Sequence, residues 1–163
     1  SPAERHALLD GWIGRLHRAA ATTAPGPAAS AREPSNTPEI FVALGASIRA
    51  HDLPLSLFED LVSAFRQDIT TTRYASWADL FDYCRRSANP VGRLLLHLFK
   101  RTSDSNLRQS DAICSALQLV NHWQDVHVDY TKDNRVYLPQ DEMARFGVSV
   151  GDLAEGSCDA PWR

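Results

Sequence analysis

The sequence predicts an all-α fold. Apolar residues recur at three- and four-residue spacing through most of the chain. Prolines and helix-capping residues fall at the ends of those runs, and no convincing strand pair or internal repeat is present. At 163 residues the chain is long enough for one domain with a real core. Its 44% hydrophobic and 23% charged content is ordinary for a soluble globular protein. A formal net charge of -3 argues against a general nucleic-acid binder, so no nucleic-acid partner is expected. No signal peptide and no apolar run of bilayer-spanning length can be read. Cys84, Cys114 and Cys158 are dispersed with no CxxC pair, the pattern of reduced thiols. The expected location is cytoplasmic, with peripheral contact to a membrane left open.

Residues 3–20 read as a helix, with Leu8, Leu9, Trp12, Ile13 and Leu16 on one side. Residues 21–38 carry four prolines among Ala, Ser and Thr and read as a loop or linker. A short helix from Glu39 to Ala50 presents Ile40, Phe41, Leu44 and Ile48. Pro54 stands where it can open the next helix, which carries Leu57, Phe58, Leu61, Val62, Phe65 and Ile69. Ser76 is an N-cap, with Asp79 at capping-box distance, for the helix bearing Leu80, Phe81, Tyr83 and Cys84. Pro90 must break or kink that helix, and leucine-rich residues 91–100 resume it. Residues 106–132 read as one long helix, and Asn134 as its left-handed C-cap. A short helix near 140–146 and a polar stretch to Arg163 complete the chain.

The long helix has a wide apolar arc of Ile113, Ala116, Leu117, Val120, Trp123, Val126 and Tyr130. That width predicts packing on several sides, with this helix central to an antiparallel bundle over 39–132. Trp77 and Trp123 are expected in the core, as are the leucines of 94–98. Opposite runs a polar stripe: Gln118, Asn121, Asp125 and Asp129, three or four residues apart and so on one face. Two carboxylates and two carboxamides offer oxygen to a hard cation, and Mg²⁺ keeps waters and bridges to substrate phosphates. Buried carboxylates are costly unless paired or metal-bound, so the stripe either faces an internal cavity or is a solvated helix face with Asp–Arg pairing. Spacing alone leaves both open.

Several segments together resemble the squalene/phytoene synthase family, the head-to-head prenyltransferases. Phe65-Arg-Gln-Asp68 with Arg73-Tyr74, then Tyr83-Cys84 followed by Val91-Gly92, then the stripe, then Arg135-Val-Tyr-Leu-Pro139 stand in that family's order. The stretch from Tyr83 to Gly92 is most similar to the bacterial hopanoid-pathway branch, the hydroxysqualene synthases. The resemblance implies a partial isoprenoid-synthase helical bundle occupying residues 1–163 as one domain. The family's first Asp-Asp-x-x-Asp motif and its C-terminal helices have no counterpart here, which reads as an internal piece of a longer enzyme. That piece alone is expected to be inactive.

The resemblance also implies roles. Asn121, Asp125 and Asp129 would bind Mg²⁺, and Gln118 would complete the oxygen set or bond to phosphate. Arg73, Tyr74 and Arg135 would lie at the substrate, the arginines donating paired N–H groups to diphosphate; exposed surface arginines are the plain alternative. Tyr83 would face a cationic intermediate. Asp68 is either an inward acid or a surface acid at a helix end. Gln124 replaces the arginine usual before the aspartate, and the interval from Asp129 to Arg135 is one residue longer than usual. The missing charge suits a single diphosphate such as presqualene diphosphate, rather than two farnesyl diphosphates. Ser87 and Asn89, usually Val and Gly in sister enzymes, could place a water for capture of the cation, or simply cap the helix beside Pro90. The rival expectations are squalene or phytoene synthesis from two prenyl diphosphates, and a non-catalytic helical module that binds partners. The oligomeric state cannot be read.

Overall fold

The computed structural model describes residues 1–22 and 39–155, which fold almost entirely as helix. The predicted 21–38 linker and Cys158 fall largely or wholly outside those residues. The helices are α1 (Pro2–Ala21), α2 (Glu39–His51), α3 (Leu55–Gln67), α4 (Trp77–Ser87), α5 (Asn89–Leu98), α6 (Asp104–Gln124), α7 (Val126–Asp133), α8 (Gln140–Phe146) and α9 (Val150–Glu155). Helix α1 packs on α2 and α3, α3 on α4 and α5, α4 on α5 and α6, and α5 on α6.

Local chemistry sets the boundaries. The Ser76 hydroxyl accepts from the Asp79 backbone, and the Asp79 carboxylate accepts from the Ser76 backbone at 3.1 Å, closing the capping box of α4. Pro90 lacks the N–H needed to continue α4, so the chain breaks at Ala88 and α5 begins beside it. Asn134 takes a left-handed conformation (φ 50°) and ends α7.

Among the described residues three apolar clusters hold the bundle. Leu16, Phe41, Ile48 and Leu53 join α1 to α2. Ala64, Tyr74, Leu80, Tyr83, Cys84, Leu119 and Tyr137 join α3, α4 and α6 to two connecting segments. Val136, Met143 and Leu153 gather the C-terminal helices. Helices α5 and α6 run antiparallel. Asn89 meets Ser115, Arg93 meets Asp111, and the Arg101 carbonyl meets Asn106, so one chain ascends as the other descends. Gly92 allows that close approach, since a Cβ there would collide with Ser110 and Cys114.

Four expectations are corrected. The predicted 106–132 helix is two helices bent at Asp125 (φ -98°, ψ 8°), a bend no glycine or proline announces. The ladder still carries across it, from the Asp125 N–H to the Asn121 carbonyl at 3.0 Å and from Asp129 to Asp125 at 2.8 Å, so the stripe keeps its register. Second, α6 is not surrounded. Leu119 and His122 are buried, whereas Leu117 is 59% exposed and Val120 and Trp123 are 43% and 47% exposed. Helical periodicity records where apolar residues lie, not what covers them. Third, Leu95 and Leu98 stand on an exposed face with Val91 and Phe99, and Trp77 only flanks the core. Fourth, the tail is not wholly polar loop: α9 forms because Leu153 anchors it against Val136 and Met143.

Candidate active site

Two connecting segments assemble the site. After α3 the chain runs extended through residues 72–75. After α7 it runs through 135–139 beside it. Val136 N–H bonds the Thr72 carbonyl at 2.9 Å, Gln140 N–H the Tyr74 carbonyl at 2.9 Å, and Tyr74 and Pro139 form a parallel bridge. This pairing brings Tyr74 and Tyr137 together from positions 63 residues apart in sequence. With Tyr83 from α4 and His122 from α6 they form a buried group of four rings. Tyr137 stacks on His122 at 3.6 Å and on Tyr74 at 5.6 Å, and Tyr83 lies 5.4 Å from Tyr74.

Asp68, at the end of α3, is the polar centre of this group. The Tyr83 hydroxyl donates to Asp68 Oδ2 at 3.1 Å. Arg135 donates to the Asp68 carbonyl at 2.6 Å and to the Tyr137 hydroxyl at 3.2 Å, and lies 3.7 Å from Asp68 Oδ1. Burial raises the pKa of Asp68 above the usual carboxylate value, opposed by the Tyr83 hydrogen bond and the Arg135 charge. Burial also raises all three phenols, so they remain protonated and able to donate. His122 is pushed down to about 4, by burial first and then by Arg135, and is therefore a neutral ring at pH 7.

The aspartate stripe lies at the same end of α6. Asn121, Gln124 and Asp125 are exposed and Asp129 is half-buried, so among the described residues the stripe opens to the surface rather than into an internal cavity. The pKa of Asp129 is raised by burial and by the neighbouring Asp125 charge, with Arg135 opposing. Among the described residues neither carboxylate has a cationic partner within 4.0 Å. No group of three or more His, Cys, Asp or Glu side chains is gathered among those residues. Two carboxylates one turn apart, with the exposed Asn121 one turn before, therefore offer oxygen not taken up by an ion pair among the described residues. That donor set fits Mg²⁺, which takes few protein ligands and keeps waters. Gln118 is set apart by its contact with His122 at 3.3 Å.

The remaining predicted residues divide. Tyr83 and Arg135 are in the cluster, and Tyr74 is buried within it. Arg73 is engaged elsewhere: it donates to the Thr72 carbonyl, the Asn134 carbonyl and Asn134 Oδ1, and lies over the Tyr130 ring at 5.9 Å. It clasps the end of α7. Asn89 is 7% exposed and its Oδ1 accepts from Ser115 at 2.9 Å, so it joins α5 to α6. Among the described residues Ser87 Oγ is buried without a partner. Sequence reading missed His122 and Tyr137 as members of the ring group. Tyr137 lay in a recognised segment, but only the pairing of 72–75 with 135–139 reveals its neighbours.

The structure thus defines an all-helical bundle with an aspartate-bearing helix end beside a buried tyrosine cluster. The whole chain, residues 1–163, matches the Squalene/phytoene synthase family, and the protein belongs to that family. It is 45% identical over 104 residues to a hydroxysqualene synthase from Zymomonas mobilis, covering 64% of this chain and 35% of the relative. It is 47% identical over 94 residues to a hydroxysqualene synthase from Rhodopseudomonas palustris, covering 58% of this chain and 32% of the relative. The crystal structure of squalene synthase HpnC from Alicyclobacillus acidocaldarius superposes with a TM-score of 0.80 at 36% identity, covering 96% of this chain and 54% of that one. The chain therefore spans about a third of the two curated relatives and about half of the solved one.

Proposed function

We propose that the full-length protein is a Mg²⁺-dependent enzyme acting on a prenyl diphosphate, and that it converts presqualene diphosphate to hydroxysqualene. One observation carries the reading. The exposed apolar side chains of α5 and α6, among them Leu95, Ile113 and Leu117, lead along α6 to Asn121, Asp125 and Asp129. A greasy surface ending in carboxylates free to take a cation suits a molecule with an apolar tail and an anionic head. Asn121, Asp125 and Asp129 would hold the metal, which when bound neutralises charge on the departing diphosphate. Gln118 and Arg135 would orient the head group, and Tyr83 would turn its ring to the cation that remains.

Two relatives named hydroxysqualene synthase support the alcohol as product. Gln124 supports it too: this exposed side chain can donate hydrogen bonds but adds no positive charge for a second diphosphate. The reading in which two prenyl diphosphates condense is favoured by the solved relative named squalene synthase. Product analysis separates them. Full-length protein with Mg²⁺ is given either farnesyl or presqualene diphosphate. Hydroxysqualene from presqualene diphosphate alone is expected. Squalene or phytoene formed from a single prenyl diphosphate without a partner enzyme refutes it.

A further inference from the structure

Three buried atoms of the Asp68 cluster have no hydrogen-bond partner among the described residues: Asp68 Oδ1, the Tyr74 hydroxyl and Arg135 Nε. Tyr74 is only 2% exposed. An unpaired buried polar group is costly, and native structures satisfy such groups with a neighbour or an ordered water. The three belong to one neighbourhood. Arg135 Nη1 lies 3.7 Å from Asp68 Oδ1, and the ring of Tyr83, whose hydroxyl holds the other carboxylate oxygen, is centred 5.4 Å from the Tyr74 ring. The charges of both Asp68 and Arg135 are felt at the Tyr74 phenol, which also has the Gln67 side chain beside it. A carboxylate acceptor, a phenol and an N–H donor are the kind of partners a buried water requires.

We propose that Asp68 Oδ1, the Tyr74 hydroxyl and Arg135 Nε hold the water that captures the carbocation, with Asp68 as its base. This rests on the presqualene-to-alcohol reading above. The carbon–oxygen bond to diphosphate breaks, and its electron pair leaves with the diphosphate. A lone pair of the water oxygen forms the new carbon–oxygen bond at the cationic carbon. The water proton passes to Asp68 Oδ1 and then to solvent, so nothing is oxidised or reduced. Burial makes Asp68 a better proton acceptor than an exposed carboxylate, and it keeps Tyr74 protonated. The rings of Tyr83 and Tyr137, 5.7 Å apart, border the same group.

The test gives full-length protein presqualene diphosphate and Mg²⁺, and measures hydroxysqualene formed per diphosphate released. Tyr74→Phe removes one oxygen and keeps the packed ring; Asp68→Asn removes the base and keeps the shape. Melting curves check that both fold. That ratio is expected to fall roughly tenfold in Tyr74→Phe and on the order of 10²-fold in Asp68→Asn, with eliminated hydrocarbon in its place. An unchanged ratio in folded Tyr74→Phe overturns the proposal. So does a diffraction structure of the wild type without an ordered water bridging Tyr74 and Asp68. Wild type that releases diphosphate but forms no alcohol overturns the parent reading, and the water's role falls with it.

Discussion

Arg135→Met tests how the Asp68 cluster is held together. The methionine keeps much of the side-chain length and removes the charge and the donors. The loss includes a hydrogen bond to the Asp68 carbonyl at 2.6 Å, one to the Tyr137 hydroxyl at 3.2 Å, and the charge 3.7 Å from Asp68 Oδ1. Removing one partner of a buried pair costs roughly 3–5 kcal/mol, because the other charge is left unpaired. Both side chains here are 20% exposed, so water relieves part of that cost, and a loss of about 3 kcal/mol is expected.

The pH dependence carries the sharper signal. Asp68 has a folded pKa above its unfolded one. Between those values the folded state binds more protons, so this group's contribution to stability falls as pH rises through that window. Without Arg135 the folded pKa rises further and the window widens upward. The deficit of the variant is therefore largest at pH 8 and shrinks toward pH 5, where Asp68 can take up its proton. Urea unfolding of the full-length protein at both pH values measures it. Equal deficits at the two pH values, or a loss below about 1 kcal/mol at pH 8, would show that Arg135 does not hold a buried Asp68 charge.

Two further outcomes are expected. Asp125→Ala should cut turnover of the full-length enzyme by several kcal/mol of barrier, on the order of 10³-fold or more, with little change in its melting curve; near wild-type rates at limiting Mg²⁺ would remove Asp125 from the metal site. Gly92→Ala should destabilise the protein by about 1–3 kcal/mol in urea unfolding, because the added Cβ meets Ser110 and Cys114 across the α5–α6 contact. A variant as stable as wild type would mean that the two helices separate freely at that point.

Helix positions were legible because their signals are local. The capping box at Ser76, the break before Pro90 and the left-handed Asn134 each depend on residues within a turn of one another. The bend at Asp125 was not legible, since it is a change in backbone angles with no residue type that demands it. The α9 helix was missed because its reason to form is Leu153 meeting Val136 and Met143, contacts made across the chain.

The same division runs through the site. Three- and four-residue spacing on a helix is itself a geometry, so sequence alone determined that Gln118, Asn121, Asp125 and Asp129 share a face. It also determined the all-α class and, by resemblance, the family. Only the tertiary structure decided which residues meet between elements. Backbone hydrogen bonds between 72–75 and 135–141 bring Tyr74 beside Tyr137, and the end of α3 carries Asp68 to Tyr83 and Arg135. It also decided that Arg73 clasps Asn134 and that the apolar face of α6 is uncovered among the described residues. The physical reason is range: periodicity and capping act within a few residues, whereas burial and pairing depend on partners that only the folded chain brings near.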